Sequence, residues 1–207
     1  MFMSAFAAPS SRSSFASPSR IAAAVLSALL AAGCVANPAE PLTEDRVSSS
    51  TWLVMTDDGI GPVKSGTPYQ ETIMAQVAPG VEIRSIQTAN ETRTEWTHAA
   101  FMGEVQAVQF FKGPGNTVAE MHGVAQHLAG PNGERIGMSM AQARVTRSDC
   151  REGTDLWLGM AVCKARGAPH ISLVFAIPQY AGPFDSLASA EDLQRAELQR
   201  IVWHAKP

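Results

Sequence analysis

No Asp or Glu stands before Glu40, no basic run occurs anywhere, no two cysteines sit close together, and the main apolar stretch is short. Each absence removes a class of function. With 19 acidic residues against 16 basic ones and no cationic run, the chain offers no nucleic-acid surface. Catalytic redox thiols usually sit as Cys-x-x-Cys, and zinc takes four ligands, usually from close-set pairs; this sequence supplies neither pattern. The apolar stretch from Ile21 to Gly33 is thirteen residues with Ser27 as its one polar member. As a helix it would span about 20 Å against the roughly 30 Å of a hydrocarbon core, which argues against a retained transmembrane anchor.

What is present at the N-terminus has the order of an export signal. Arg12 and Arg20 precede the apolar stretch, and the absence of acidic residues completes the pattern. The stretch ends Leu30, Ala31, Ala32, Gly33, Cys34, which resembles a bacterial lipobox, with Ala31 where Leu is usual. Residues 1–33 are therefore expected to be removed, and the Cys34 thiol to receive a diacylglyceryl group. The alternative is an ordinary signal cleaved nearby. Two or more acyl chains, at about 0.8 kcal/mol per buried methylene, hold a protein on a membrane almost permanently. Val35 follows the cysteine in place of the Asp that commonly retains lipoproteins in the inner membrane. By analogy the expected address is the outer membrane, facing the periplasm. Loss of Arg12 and Arg20 leaves 14 basic and 19 acidic residues in the mature chain, a formal charge of −5.

Residues 34–50, rich in Ala, Pro, Ser and charge, read as a lipidated N-terminus and flexible tether. One folded domain is expected over 51–207, starting with the apolar run Trp52 to Met55 before Asp57, Asp58 and Gly59 stop it. Two segments share one grammar, in which an apolar stretch with Gly leads to a hydroxyl residue followed three positions later by Gln: Thr67 with Gln70, and Ser139 with Gln142. Both read as capping boxes, so Thr67 and Ser139 are expected N-caps of helices over 68–77 and 140–147. The repeated grammar suggests two related strand-helix-strand halves. The rest favours strands: Val81 to Ile86, Phe101 to Phe111, Thr117 to Leu128, an apolar central strand Ile171 to Ile177, and Leu198 to His204, with a short helix capped by Ser189. Gly113 to Asn116 is a turn. The expected class is α+β, a mainly antiparallel sheet with two or three short helices.

Once Cys34 carries lipid, Cys150 and Cys163 remain, thirteen positions apart. In an oxidising compartment they form an obvious disulfide pair, the rival readings being a redox pair and a metal site.

Taken together, Gly59 to Pro62 leading to Thr67 and Pro68, Arg135 to Gly137, Cys150 with Cys163 to Ala165, His170 to Ser172 with Phe175, Gly182 with Pro183, and Ile201 to Trp203 resemble the RpoE-regulated lipoprotein family of the bacterial envelope. The likeness covers nearly all of the chain from Asp58 onward. It implies a lipidated, periplasm-facing domain linked to the envelope-stress regulon. It implies no catalytic residue, because the family has none assigned. Met138 and Ser139 depart from the Thr-Pro pair seen at Thr67 and Pro68.

Candidate chemistry is thin. Gly137 to Ala141 imitates a Gly-x-Ser-x-Gly elbow, so Ser139 with a histidine such as His170 is the alternative, a periplasmic serine-type hydrolase; Ser139 has a sufficient role as a cap. On a strand, His122 shares a face with Val118, Glu120 and Val124 while His127 points to the other, so the two do not chelate one metal. No metal site, cofactor or catalytic residue is expected. Asp57 with Asp58 reads as turn chemistry, Glu191 with Asp192 as a helix start, and Arg144, Arg147 and Arg151 as a solvated cationic face. Phe110, Phe111 and Trp157 would form a docking patch if exposed and a two-sided core if not. The expected role is a non-enzymatic one: binding or supporting another envelope component, whether protein, lipid or peptidoglycan.

Overall fold

The computed structural model describes residues 51–206, so the expected signal (1–33), the lipidation of Cys34 and the tether over 34–50 lie outside the described residues. The chain opens with three short strands, β1 (Leu53–Thr56), β2 (Gly59–Ile60) and β3 (Val63–Lys64), and a helical turn α1 (Glu71–Met74) that tightens into a 3-10 turn at Ala75–Val77. A meander follows: β4 (Val81–Ala89), β5 (Thr94–Met102), β6 (Val105–Lys112) and β7 (Val118–Gly123). After β8 (Leu128–Ala129) comes a second meander, β9 (Cys150–Glu152), β10 (Ala161–Ala165), β11 (Ala168–Ala176) and β12 (Glu197–His204), with the single-turn helix α2 (Ala190–Leu193) between its last two strands.

The two meanders share one sheet of eight strands in the order β4-β5-β6-β7-β12-β11-β10-β9, antiparallel throughout. Their last strands meet in the middle, with Val202 opposite His122 and Trp203 opposite Met121. A second sheet, β3-β2-β1-β8, contains the one parallel pair among the described strands, Leu53 beside Leu128. The fold is α+β and mainly antiparallel, as the strand patterning predicts.

The two segments of shared grammar occupy matching places. In the first half the Thr67 carbonyl accepts from the Val118 amide and Pro68 bridges to Thr117, at the start of β7. In the second, the Met138 carbonyl accepts from Leu198 and Ser139 bridges to Glu197, at the start of β12. Each segment thus docks on the closing strand of its own meander. The halves are related as four-stranded meanders rather than as strand-helix-strand units.

That docking explains two corrections. Thr67 is not a helix cap: its hydroxyl accepts from the Lys64 amide at 2.9 Å, and the residue before α1 is Gln70, itself extended and making no side-chain cap bond. The Ser139 box does close, with the Gln142 amide donating to Ser139 Oγ at 3.2 Å and the Ser139 amide to Gln142 Oε1 at 2.9 Å. Yet no helix over 140–147 follows. Arg144 turns to φ +56 and the Val145 amide closes back on the Met140 carbonyl, so the segment ends after one turn. The Ser189 cap forms as expected, accepting from the Asp192 amide.

Strand alternation splits the apolar residues between two faces. On the inner face, Phe110, Met121, Leu173, Phe175, Ile201 and Trp203 join Leu53, Met55 and Ile60 of the small sheet in one core. On the outer face, Trp157 folds back from the β9–β10 connection over Val162, Val174 and Val202. Phe110, Phe111 and Trp157 are all buried, which makes them part of a two-sided core and leaves no docking patch at these three positions.

Cys150 and Cys163 are direct partners across β9 and β10 and form a disulfide. It ties the edge strand β9 to the sheet and fixes the loop that carries Trp157. Closing a loop of this length removes about 3 kcal/mol of denatured-state entropy. Cys150→Ser should therefore lower the melting temperature by roughly 6 to 12 °C. A double Cys→Ser variant should lose the same bond and no second one. Equal melting temperatures for the oxidised parent and Cys150→Ser would show that the bond contributes nothing.

Candidate functional site

The outer face of the sheet seam carries a polar network that strand alternation assembles. Glu120 and His122 lie two apart on β7, Arg200 and His204 four apart on β12, and Gln109 and Ser172 come from the flanking β6 and β11. His122 is fully buried, between Phe111 at 4.5 Å and Trp157 at 5.7 Å between ring centres. Its Nε2 bonds Glu120 Oε1, and its Nδ1 lies 3.4 Å from Arg200 Nη1. An arginine cannot accept, so Nδ1 is the acceptor and Nε2 carries the proton. The ring is neutral and links a guanidinium to a carboxylate. Arg200 also donates to Gln109 Oε1 at 3.0 Å.

Burial works against the charged forms of His122, Arg200 and Glu120. It pushes the His122 pKa down, with Glu120 opposing, and it pushes Arg200 down as well. For Glu120, burial alone would raise the pKa. Hydrogen bonds from His122 and His204 outweigh it and hold the carboxyl at about 2. Toward solvent, His204 Nδ1 lies 3.5 Å from Glu120 Oε2, and its Nε2 lies 3.4 Å from Ser172 Oγ. The order Ser172, His204, Glu120 has the composition of a hydrolytic triad. Both spacings exceed the 2.6 to 3.2 Å reach typical of a working nucleophile and base, and His204 is half exposed. The arrangement sets His204 between the Ser172 hydroxyl and the Glu120 carboxylate.

A latch closes over this face. The β4–β5 turn is an Asx turn, with Asn90 Oδ1 accepting from the Thr92 and Arg93 amides, and it presents Glu91. Glu91 receives both Arg151 guanidinium nitrogens at 2.7 Å and the Thr154 amide at 2.9 Å, while its carbonyl accepts from Leu156. Burial opposes the ionised form here too, but these donors prevail and lower its pKa. One edge hairpin is thereby pinned to the β9–β10 connection.

Beside the latch is an exposed apolar patch. Leu156, Leu158 and Phe184 are each about half exposed. Gly159 joins them: its amide donates to the Phe184 carbonyl, and a Cβ there would meet the Phe184 ring at 2.7 Å. Tyr180 stands edge-on to Phe184, its hydroxyl fixed on the Pro183 carbonyl.

The residues singled out from the sequence do not converge. Ser139 pairs with Glu197 at one end of β12, and His170 precedes Ile171, the partner of Trp203 at the other end. Six residues of strand put the two roughly 20 Å apart, so the Ser139 and His170 pair fails. The His170 amide donates to Asp57 Oδ1, His127 stacks on Trp52 at 3.7 Å, and His98 Nδ1 sits 3.6 Å from Glu71 Oε1, an ion-pair distance beyond hydrogen bonding. Asp58 pairs with Lys206, consistent with a turn role. Arg144, Arg147 and Arg151 do not form one patch, since Arg151 is committed to Glu91 and Arg147 donates to the Leu187 and Ala188 carbonyls. Among the described residues no group of three or more His, Cys, Asp or Glu side chains is placed to hold a metal ion. The network and the latch were missed. The spacings Glu120-x-His122 and Arg200-x-Val202-x-His204 on adjoining strands were the available signal for the network; Glu91 had none, because its partners are 60 or more residues away.

The family model described as "Protein of unknown function (DUF1131)" matches residues 45–205. The crystal structure of the uncharacterized protein yfeY from Escherichia coli is similar in fold, with a TM-score of 0.58 at 20% identity over 74% of this chain and 99% of that one. No curated protein matches the chain.

The network predicts acid sensitivity. Folded His122 has a lower pKa than its ordinary 6.5, so the unfolded chain takes up that proton first as pH falls, and stability present above 6.5 is lost below it. Glu120 adds a second loss that begins near its ordinary 4.5 and ends at about 2. Melting temperature should drop steadily from pH 7 to 5, with a limiting slope of about 1.4 kcal/mol per pH unit for one proton. His122→Gln should be less stable at pH 7 and show a flatter profile over that range. A parent profile flat between pH 7 and 5 would contradict the neutral, buried His122.

Proposed function

The chain belongs to the DUF1131 family, a family of unknown function, and from that premise we propose that it is a membrane-anchored envelope lipoprotein whose domain binds another envelope component without catalysis. Cys34 carries the lipid, and Val35 sends it to the outer membrane with the domain in the periplasm. The resemblance to RpoE-regulated lipoproteins adds that its synthesis rises with envelope stress. The observation that carries the binding role is the patch of Leu156, Leu158 and Phe184. Isolated exposed apolar residues are ordinary, but these three are gathered on two loops that the Glu91 latch, the disulfide and the Tyr180 hydroxyl hold in place. A pre-fixed apolar surface binds without an ordering penalty. Its apolar character favours a protein partner over peptidoglycan, which is polar.

A photo-crosslinking residue at Leu158 or Phe184 in living cells should give discrete protein adducts, and one at Lys112, an exposed position on β6, should give none. Leu158→Glu should abolish the adduct formed from position 184. Cys34→Ser should block lipid labelling, leave the precursor uncleaved and remove the adduct. Adducts with lipid alone would replace the protein partner with a bilayer. No adduct at either position, with lipid labelling unchanged in Cys34→Ser, would defeat the reading.

A further inference from the structure

A groove of about 480 Å³ lies on the second half of the domain, walled by residues 140–147 on one side and by α2 with Gln194 on the other. Its size falls within the range of small-ligand sites. It is separate from the Leu156, Leu158 and Phe184 patch and does not depend on it. Met140, Val145 and Leu193 give the groove an apolar floor, and Arg144 and Arg147 also line it.

The two arginines differ in how they are held. Arg147 is clamped, its Nε on the Ala188 carbonyl at 3.0 Å and its Nη2 on the Leu187 carbonyl at 3.1 Å, leaving Nη1 with no acceptor among the described residues. Arg144 makes no side-chain hydrogen bond or ion pair with any described residue, while its backbone amide donates to the Ala141 carbonyl at 3.1 Å. It occupies the left-handed position, φ +56, that closes the 139–145 turn through the bond from the Val145 amide to the Met140 carbonyl. Glycine is the usual residue there, because a Cβ crowds the backbone in that conformation. At this strained position stands a cation that lines the groove. Among the described residues no carboxylate lies within ion-pair distance of either guanidinium: Asp149 is turned to the Thr146 amide and hydroxyl, and Asp192 to Ser189 and Arg195.

We propose that this groove binds a single-chain anionic amphiphile, its head held by Arg144 and Arg147 and its hydrocarbon laid over Met140, Val145 and Leu193. A carboxylate and a phosphate share the required head chemistry, each able to take paired guanidinium donors. The apolar floor excludes a free inorganic anion as the full ligand.

Titration calorimetry on the purified full chain tests this with dodecanoate, dodecyl phosphate, dodecanol and inorganic phosphate, the amphiphiles kept below their aggregation concentrations. Both charged amphiphiles should bind, dodecanol at least tenfold more weakly, and phosphate alone not measurably. Tighter binding of dodecyl phosphate supports the site with a phospholipid as the source, and tighter binding of dodecanoate supports it with a free fatty acid. Arg144→Gly separates binding from folding. It relieves the positive φ, so the melting temperature should hold or rise while affinity falls about tenfold. Ala190→Trp, at an exposed position, should fill the groove and abolish binding with the fold intact. Dodecanol binding as tightly as dodecanoate, unchanged affinity in Arg144→Gly or Ala190→Trp, or no binding of either charged amphiphile would overturn the proposal.

Discussion

Antiparallel pairing of β7 with β12, from Gly123 opposite Ile201 to Glu120 opposite His204, joins the two four-stranded meanders into one sheet. Because successive side chains alternate between faces, this one register sends Met121, Ile201 and Trp203 into the main core and His122 and Val202 to the outer face. A slip of β12 by one residue would turn that strand over, burying Arg200 and His204 among aliphatic side chains and exposing Ile201 and Trp203. The Trp203 indole nitrogen, donating to the Asp57 carbonyl, adds a check on the same register from the small sheet.

The outer face is where that pairing has chemical consequences. A carboxylate and a guanidinium are brought to one seam with a neutral imidazole between them, and Trp157 covers the imidazole. The loop that bears Trp157 is held three times over, by the disulfide, by Glu91 and by the Gly153 amide on the Met160 carbonyl. The same loop carries Leu156 and Leu158 outward. Burial of one aromatic residue and exposure of its two leucine neighbours are therefore consequences of one anchored turn.

Much of the fold was legible because period-two alternation is local. The strands around Ile83, Ile171 and Val202 fall where their apolar spacing put them, the Phe101 to Phe111 run is split between β5 and β6 by a turn at Gly103, φ +59, and the cysteines that lipidation of Cys34 would leave are paired across adjacent strands. The helices were less legible. Thr67 with Gln70 and Ser139 with Gln142 have the composition of helix starts, but both segments must also hydrogen-bond the first residues of β7 and β12, and that tertiary demand overrides the local one. Their likeness was still informative, since it marked the repeat of the meanders. The site was the least legible part. His122 could be placed on one face with Glu120, but Arg200 joins them only when β12 is known to neighbour β7, and no local pattern reports that adjacency. The exposure of Leu156, Leu158 and Phe184 likewise depends on what the core leaves uncovered.

The central claim is that the seam holds the two meanders together as one cooperative unit. Native-state hydrogen exchange tests it directly, because amides released only by global unfolding report the full stability while those in smaller openings report less. The account predicts the slowest exchange at β7 and β12 amides such as Met121, Gly123, Ile201 and Trp203, with the β4–β5 hairpin and β9 opening at lower free energy. Seam amides that exchange as readily as those at the two sheet edges, with each meander protected on its own, would contradict it.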